Sequence, residues 1–241
     1  MIQFYAPEIE AEGILPESES AHCSRVLRMK AGDEIQVTDG KGNRFICEII
    51  KSHPVHTELI IKEKLPQKIN KGYYLTLAVA PTKNSDRIEW LIEKAVEIGV
   101  DRIVLLKCER SERKNQRTDR LRKVMISAMK QSLDVNLPEL EEVKEFKWFV
   151  KDCGKDIQKY FGYCSEDYPR RAFAAEYQPG GEVVVMIGPE GDFTPEEVKL
   201  AVDSGFVPVT FGEKRLRTET AGVYAVSAVS ALNQKKFYRL K

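Results

Sequence analysis

The spacing of hydrophobic and polar positions changes once along this chain of 241 residues. From Asp33 to about Lys64 the two kinds alternate. EIQVTDGKGNRFICEIIKS holds two strand patterns around Asp39-Gly40-Lys41-Gly42, a composition suited to a hairpin turn, and HTELIIKEK supplies a third strand. Residues 1–68 therefore read as a small β-barrel or sandwich, ending in the polar linker stretch PQKINKG. Beyond it, strands alternate with helices. YYLTLAVA is a strand, and the next helix is opened by Asp86 with Glu89 three residues on and closed by Gly99. Its apolar positions Ile88, Leu91, Ile92, Ala95 and Ile98 recur at helical spacing, so it covers a sheet. RIVLLKC is the next buried strand, and a helix from about Asp119 to Leu133 follows. A helix and strand between 145 and 165, the strand VVVMI with its helix, VPVTF and a final helix complete the pattern. Residues 72–241 are predicted to form an α/β domain with a mainly parallel sheet.

Within that domain, VVVMIGPEGDFTPEEV, residues 183–198, joins a buried strand to a helix start through two glycines. Val183 to Ile187 are too few for a buried helix. Thr194 suits the N-cap, Pro195 the first helical position, and Glu197 completes a Thr-x-x-Glu capping box. In open α/β sheets, ligands bind at such strand C-terminal ends. The loop lacks a Gly-Lys-Ser/Thr ending and a G-x-G-x-x-G spacing. Glu190 and Asp192 would also oppose a phosphate, so a neutral or positively charged ligand is expected. The alternative is a tight turn whose glycines only supply backbone freedom.

The helix from Thr220 to Asn233, TAGVYAVSAVSALN, has no charged face and must be buried on most sides, inside its own domain or against a second subunit. The 38 Lys and Arg nearly balance the 37 Asp and Glu, so any nucleic-acid surface must be local. Lys107 to Lys123 is one such place, with eight basic residues, among them Arg110, Arg113 and Lys114, against three acidic ones. HCSRVLRMK is another, where His22, Arg25, Arg28 and Lys30 lie without an acidic neighbour. A solvated surface is the competing reading of both. The N-terminus lacks a signal-peptide pattern, no apolar run approaches a membrane span, and five scattered cysteines imply a reduced, cytoplasmic protein. His53-Pro-Val-His56 is the only close histidine pair, and no metal site is expected.

A second loop, VTFGEKRLRTETAG at 209–222, again runs from a strand through glycine to the final helix. With IGPEGDF it resembles the RsmE family of ribosomal RNA uridine methyltransferases, of the SPOUT class. The likeness extends to HCSRVLR, GDEIQVTDGKG and EKAVEIGVDRIVLLKCERS. The resemblance implies a PUA-like RNA-binding barrel at 1–68 and a SPOUT domain with a C-terminal trefoil knot at 72–241. It implies a homodimer that binds S-adenosylmethionine and methylates ring nitrogen 3 of one uridine in small-subunit (16S) rRNA, free or in the assembled subunit. By motif, the cofactor loops are Gly188, Pro189, Glu190 and Gly191, with Gly212, Leu216, Arg217 and Thr218. Arg217 is the candidate for stabilising charge on the uracil oxygens and Glu219 the candidate base, its alternative roles being to pair with Arg217 or cap the last helix. His22, Arg25, Arg28, Arg110 and Arg113 are the candidate RNA contacts. Two departures stand out: Lys130 and Asp134 replace an acidic residue and an arginine of the pattern E-Q-x-x-R-x-x-x-P, and Asp192 stands where many relatives have glycine. The alternatives are a SPOUT enzyme acting on another rRNA or tRNA nucleotide, and a non-catalytic RNA-binding assembly factor.

Overall fold

The computed structural model describes residues 2–65, 71–113, 117–165, 167–169 and 171–238, of which 235–238 by backbone alone. Most of the expected linker, at 66–70, and Lys114 of the basic stretch lie outside the described residues. The chain divides into two compact units, Met1–Asn70 with Ile126–Leu137 and Lys71–Met125 with Pro138–Lys241.

In the first unit, β1 (Gln3–Tyr5), β2 (Glu34–Thr38), β3 (Arg44–Lys51) and β4 (Glu58–Leu65) form one sheet in that order. β1 runs parallel to β2, and the remaining pairs are antiparallel. The β2–β3 hairpin forms where the turn residues predict it. The Asp39 carboxylate accepts hydrogen bonds from the Lys41 and Asn43 amides at 2.7 and 3.1 Å and from Asn43 Nδ2 at 2.6 Å. Gly40 has φ +72°, and a Cβ there would meet the Tyr5 ring at 2.8 Å, so this position needs glycine twice over. Between β1 and β2 lie α1 (Ile9–Glu12), α2 (Glu17–Ala21) and a π-helical turn at His22–Val26. Phe4, Leu15, Val37, Phe45 and Ile49 are buried at the centre of this unit.

Residues 126–137, placed by their sequence position in the second domain, belong to this first unit. The Gly42 amide donates to the Val135 carbonyl at 2.9 Å, and the Leu137 amide to the Gly40 carbonyl at 2.8 Å. Gln3 Nε2 donates to the Asp134 carbonyl at 2.6 Å. Lys130 pairs with the buried Glu19 at 2.6 Å, while the Asp134 carboxylate accepts from the Val135 amide at 2.6 Å. Lys130 and Asp134 therefore both have structural partners within this unit.

The second unit is built on a six-stranded sheet ordered β10-β8-β9-β5-β6-β7. These strands are β5 (Tyr73–Val79), β6 (Arg102–Lys107), β7 (Glu139–Glu145), β8 (Gln158–Gly162), β9 (Gly181–Ile187) and β10 (Val207–Val209). Every neighbouring pair is parallel, so the sheet is more uniform than expected. Its helices are α3 (Ser85–Ile98), the Thr118–Met125 part of α4 (Thr118–Gln131), α5 (Phe146–Asp152), α6 (Phe173–Glu176), α7 (Pro195–Asp203) and α8 (Thr218–Tyr238). α3 starts before Asp86 because Asn84 is its N-cap, accepting from the Asp86 amide at 2.8 Å. α8 packs along α3 so closely that a Cβ on Gly222 would lie 2.6 Å from Leu91 Cδ1. Its buried side is Gly222, Ala225, Val226 and Val229, whereas Tyr224 is exposed, so burial is one-sided in this chain.

Candidate active site

Because every strand of the second sheet points the same way, the segments leaving β5, β6, β8, β9 and β10 gather at one edge. The loop after β9 is fixed by its helix. Thr194 Oγ1 accepts from the Glu197 amide at 3.2 Å, and Glu197 Oε2 accepts from the Thr194 amide at 2.9 Å, closing the predicted capping box. The other carboxylate oxygen of Glu197 accepts from the Glu109 amide, in the loop after β6, at 2.9 Å. Glu190 Oε1 accepts from the Lys83 amide, after β5, at 3.1 Å. Arg110 donates to the carbonyls of Gly191 and Phe193 at 3.0 and 3.3 Å. The loop after β10 is tied in by Thr218, whose hydroxyl donates to the Gly188 carbonyl at 3.1 Å.

Between these loops lies a cavity of about 280 Å³. Of the eight predicted cofactor residues, Gly188, Pro189, Glu190, Leu216, Arg217 and Thr218 line it. Gly191 lies instead against Arg110, where a Cβ would make ordinary contact at 3.4 Å. Gly212, with φ +130°, lines a neighbouring cavity of about 310 Å³. The two cavities share Tyr163, Cys164, Asp192, Thr210, Lys214 and Arg215.

The motifs did not reveal Arg87, Tyr163, Cys164, Phe211 or Arg215 as cavity residues. Their elements are separated in sequence, and only the sheet order brings them together. For Phe211 and Arg215 a signal existed, since both lie inside the second loop motif. The acidic character expected of the site holds for the first loop alone: Arg87, Lys214, Arg215 and Arg217 face Glu190 and Asp192 around the same cavity.

Arg217 is exposed, and among the described residues no carboxylate pairs with it. Glu219 is buried and lies 3.8 Å from Arg87 Nε, with its second oxygen lacking a hydrogen-bond partner among the described residues. Glu219 thus neighbours Arg87 rather than Arg217 and does not line the cavity. Asp192 has φ +62°, so the glycine-to-aspartate departure does place an L residue in the left-handed region. Its carboxylate accepts from the Phe193 amide at 2.8 Å, a local bond of the kind that makes aspartate tolerable there. Burial raises the Asp192 pKa, opposed by the Phe193 amide and by Arg215 and Arg110.

The remaining candidates lie elsewhere. Arg113 donates to Ser85 Oγ at 2.6 Å, so both it and Arg110 are engaged in holding loops. In the first unit, His22 begins the π-helical turn, Arg25 and Arg28 are exposed, and Arg28 has φ +54°. Among the described residues neither arginine pairs with a carboxylate. No group of three metal-ligating side chains occurs among the described residues, nor is any helix there long and apolar enough to cross a membrane.

Comparison with known proteins agrees with this architecture. An RNA methyltransferase domain matches residues 70–230 and an RNA methyltransferase PUA domain residues 15–60. Ribosomal RNA small subunit methyltransferase E of Synechocystis is 29% identical over 94% of this chain and 76% of its own length. The protein of the same name from Bacillus subtilis is 26% identical over 87% and 86%. Among solved structures, a probable rRNA methyltransferase from Porphyromonas gingivalis superposes with TM-score 0.92 at 39% identity, covering 98% of this chain and all of that one. Ribosomal RNA small subunit methyltransferase E from Neisseria gonorrhoeae, bound to S-adenosyl methionine, gives TM-score 0.86 at 28% identity over 96% and 98%. A methyltransferase domain across two thirds of the chain, a PUA domain before it and a two-loop cavity at the strand ends lead to one conclusion: this chain belongs to the RNA methyltransferase family, with the ribosomal RNA small subunit methyltransferases E.

Proposed function

We propose that this protein uses S-adenosylmethionine to methylate ring nitrogen 3 of a uridine in small-subunit (16S) ribosomal RNA. The observation that carries the reading is the cavity closed by the loops after β9 and β10. Its lining fits the cofactor by chemistry. Ile187, Val209, Phe211 and Leu216 offer an apolar wall to a flat heteroaromatic ring, cationic side chains suit a carboxylate, and Glu190 and Asp192 suit an ammonium group. When bound, the cofactor supplies a methyl group on a sulfonium sulfur, open to a nitrogen lone pair.

The rest of the work falls to this chain. Ring nitrogen 3 of uracil carries a proton at neutral pH, and losing it spreads negative charge onto the flanking oxygens. Arg217, at the cavity wall and without a carboxylate partner among the described residues, is placed to stabilise that charge. The hydrogen-bonded loops hold the reacting groups in register, an effect worth several kcal/mol where alignment is good. Buried Glu219 positions Arg87 rather than serving as the base. In the first unit, exposed Arg25 and Arg28 suit RNA phosphates, with His22 beside them. The partly apolar outer side of α8, carrying Val223, Tyr224 and Ala228, is the surface we assign to a homodimer, and a threaded, knotted C-terminal segment remains part of the proposal. The enzyme would work in the cytoplasm, on rRNA or the assembled small subunit.

Mass spectrometry of 16S rRNA from a deletion strain, before and after treatment with purified protein and cofactor, tests this directly. The expected result is one uridine that gains a methyl group on nitrogen 3. Methylation at another atom or in another RNA would refute the substrate assignment, and no cofactor binding by calorimetry would favour a non-catalytic RNA-binding factor.

A further inference from the structure

α5 starts at the edge that holds the site and carries surface that neither cavity of the site uses. β7 runs parallel to β6, and its last residue, Glu145, is in register with Lys107, so α5 leaves the sheet at the same strand ends as the two loops. Its first residue, Phe146, is buried, with its ring 5.3 Å from the ring of Phe193. Phe193 in turn closes on Gly188 of the cavity wall, where a Cβ would meet that ring at 3.1 Å. Trp148, the third residue, therefore stands in the first turn beside the site, and 59% of it is exposed. An indole so placed presents a large, rigid aromatic face to water.

The helix sorts its residues by face. Phe146, Phe149 and Val150 are buried, whereas Lys147, Trp148, Lys151 and Asp152 are exposed. At about 100° per residue, Lys147 and Lys151 fall on one side of Trp148 and Asp152 on the other. The Lys147 ammonium lies 5.7 Å from the centre of the indole ring, and among the described residues neither lysine pairs with a carboxylate. Glu145, the acidic residue before them, is taken by Lys107. The outer side of α5 is thus an aromatic face flanked by two uncompensated cations. A second copy of the chain fits it poorly. The buried side of α5 packs with Ala78, Val104 and Met186, in a cluster that includes, among the described residues, none from α3 or α8. α3 and α8 pack together on the other face of the sheet, so Trp148 is turned away from the surface assigned to a homodimer.

Resting on the reading of ribosomal RNA as the substrate, we infer that α5 is a docking surface for the RNA strand flanking the target nucleotide: one unpaired base stacks on Trp148, and its phosphates run along Lys147 and Lys151. The chemistry favours single-stranded RNA. Every base has a π-face, so an exposed indole holds one without reading its sequence, while adjacent cations track the backbone. Bases inside a helix keep their faces stacked on one another, so the strand is unpaired where it crosses Trp148. Asp152 repels phosphate and confines the backbone to the lysine side. Such a contact acts on the bound and reacting RNA alike, so it lowers the RNA concentration needed and leaves the rate of the chemical step unchanged.

The test uses the full chain with Trp90→Phe, which leaves Trp148 as the sole tryptophan. Its emission should be quenched on titration with a single-stranded oligouridylate. Trp148→Ala should weaken binding of unmodified 16S rRNA about 10-fold and raise the RNA concentration at half-maximal methylation by the same factor, with the rate at saturating RNA unchanged. Trp148→Tyr should keep most of the affinity. Lys147→Gln with Lys151→Gln should flatten the log–log salt dependence by about 1–1.5. Tm and calorimetric affinity for S-adenosylmethionine should match the parent in each case. If Trp148→Ala binds and methylates the rRNA as the parent does, or if the oligouridylate leaves Trp148 emission unchanged, α5 is not an RNA contact. A lower mass by light scattering for Trp148→Ala would make the surface an interface between copies and would equally overturn the inference. Methylation of another atom or nucleotide, with the quenching and the affinity loss intact, would refute the uridine reading and leave this contact standing.

Discussion

Glu197 ties the segment after β9 to the loop after β6, so its removal should be felt in both stability and ligand binding. One oxygen accepts from the Thr194 amide in a buried bond of 2.9 Å and the other from the Glu109 amide in a partly buried bond of 2.9 Å. Glu197→Ala deletes both acceptors and leaves two amides to find water. A hydrogen bond to a charged group contributes about 1.5–3 kcal/mol, and an orphaned buried donor costs a similar amount. The Thr194 amide cannot reach solvent easily and carries the upper value, whereas water can replace the carboxylate at Glu109, so the total is about 3 kcal/mol. For a chain of this size that corresponds to a fall in Tm of roughly 6–12 °C. Glu197→Gln retains one acceptor but turns an amide NH2 toward a backbone donor, and should lose about half as much. Thermal unfolding by circular dichroism gives the stability. Calorimetry with S-adenosylmethionine should show weaker binding, because the loop carrying Gly188 to Asp192 loses one of its anchors to the loop after β6 and keeps only those from Arg110. A Tm for Glu197→Ala within 2 °C of the parent, with unchanged cofactor affinity, would refute the argument that this carboxylate organises the site.

Three further outcomes follow from other parts of the molecule. Gly222→Ala gains about 1 kcal/mol of helix propensity but drives a methyl to 2.6 Å from the wholly buried Leu91. Overpacking at about 1–3 kcal/mol should win, lowering Tm, and Leu91→Ala in the same chain should recover part of the loss; simple additivity would contradict the contact. Thiol labelling of the native protein at pH 8 should modify the exposed Cys164 first, because burial holds Cys23 and Cys47 at about 11 and Cys108 higher still. S-adenosylhomocysteine should protect Cys164, which lines the cavity, and labelling of Cys47 at the same rate would count against this core. Arg25→Ala with Arg28→Ala should weaken 16S rRNA binding and flatten its log–log salt dependence by about 1–2. Neither residue has an ion pair among the described residues, so Tm should hold; an unchanged salt slope would remove this segment from the RNA surface.

Local chemistry made much of this protein legible in its sequence. The Asp39 turn, the Thr194–Glu197 capping box, the apolar run of β9 and the helical spacing of Leu91 and Ala95 each specify their element within a few residues, so no distant partner is needed to recognise them. β7, ELEEVKE, escaped notice because an edge strand carries charges where a central one carries valines. The π-helical turn beneath His22 and the short β1 were hidden for a related reason, since three to five residues give no period to read.

Both glycine loops could be located from the sequence, but not the cavity between them. Arg87 on α3, Cys164 after β8 and Arg215 after β10 become neighbours through the order β10-β8-β9-β5, a property of the sheet and not of any one segment. The same holds for Glu19 and Lys130, which are 111 positions apart and form one partly buried pair in the first unit. What the sequence determined by itself was the identity of the elements and the family they mark, because those depend on contacts a few residues long. The charge around the cavity, the partner of Glu219, the left-handed turn at Asp192 and the return of residues 126–137 to the first unit were decided by tertiary structure, because each depends on which distant groups share one low-dielectric space.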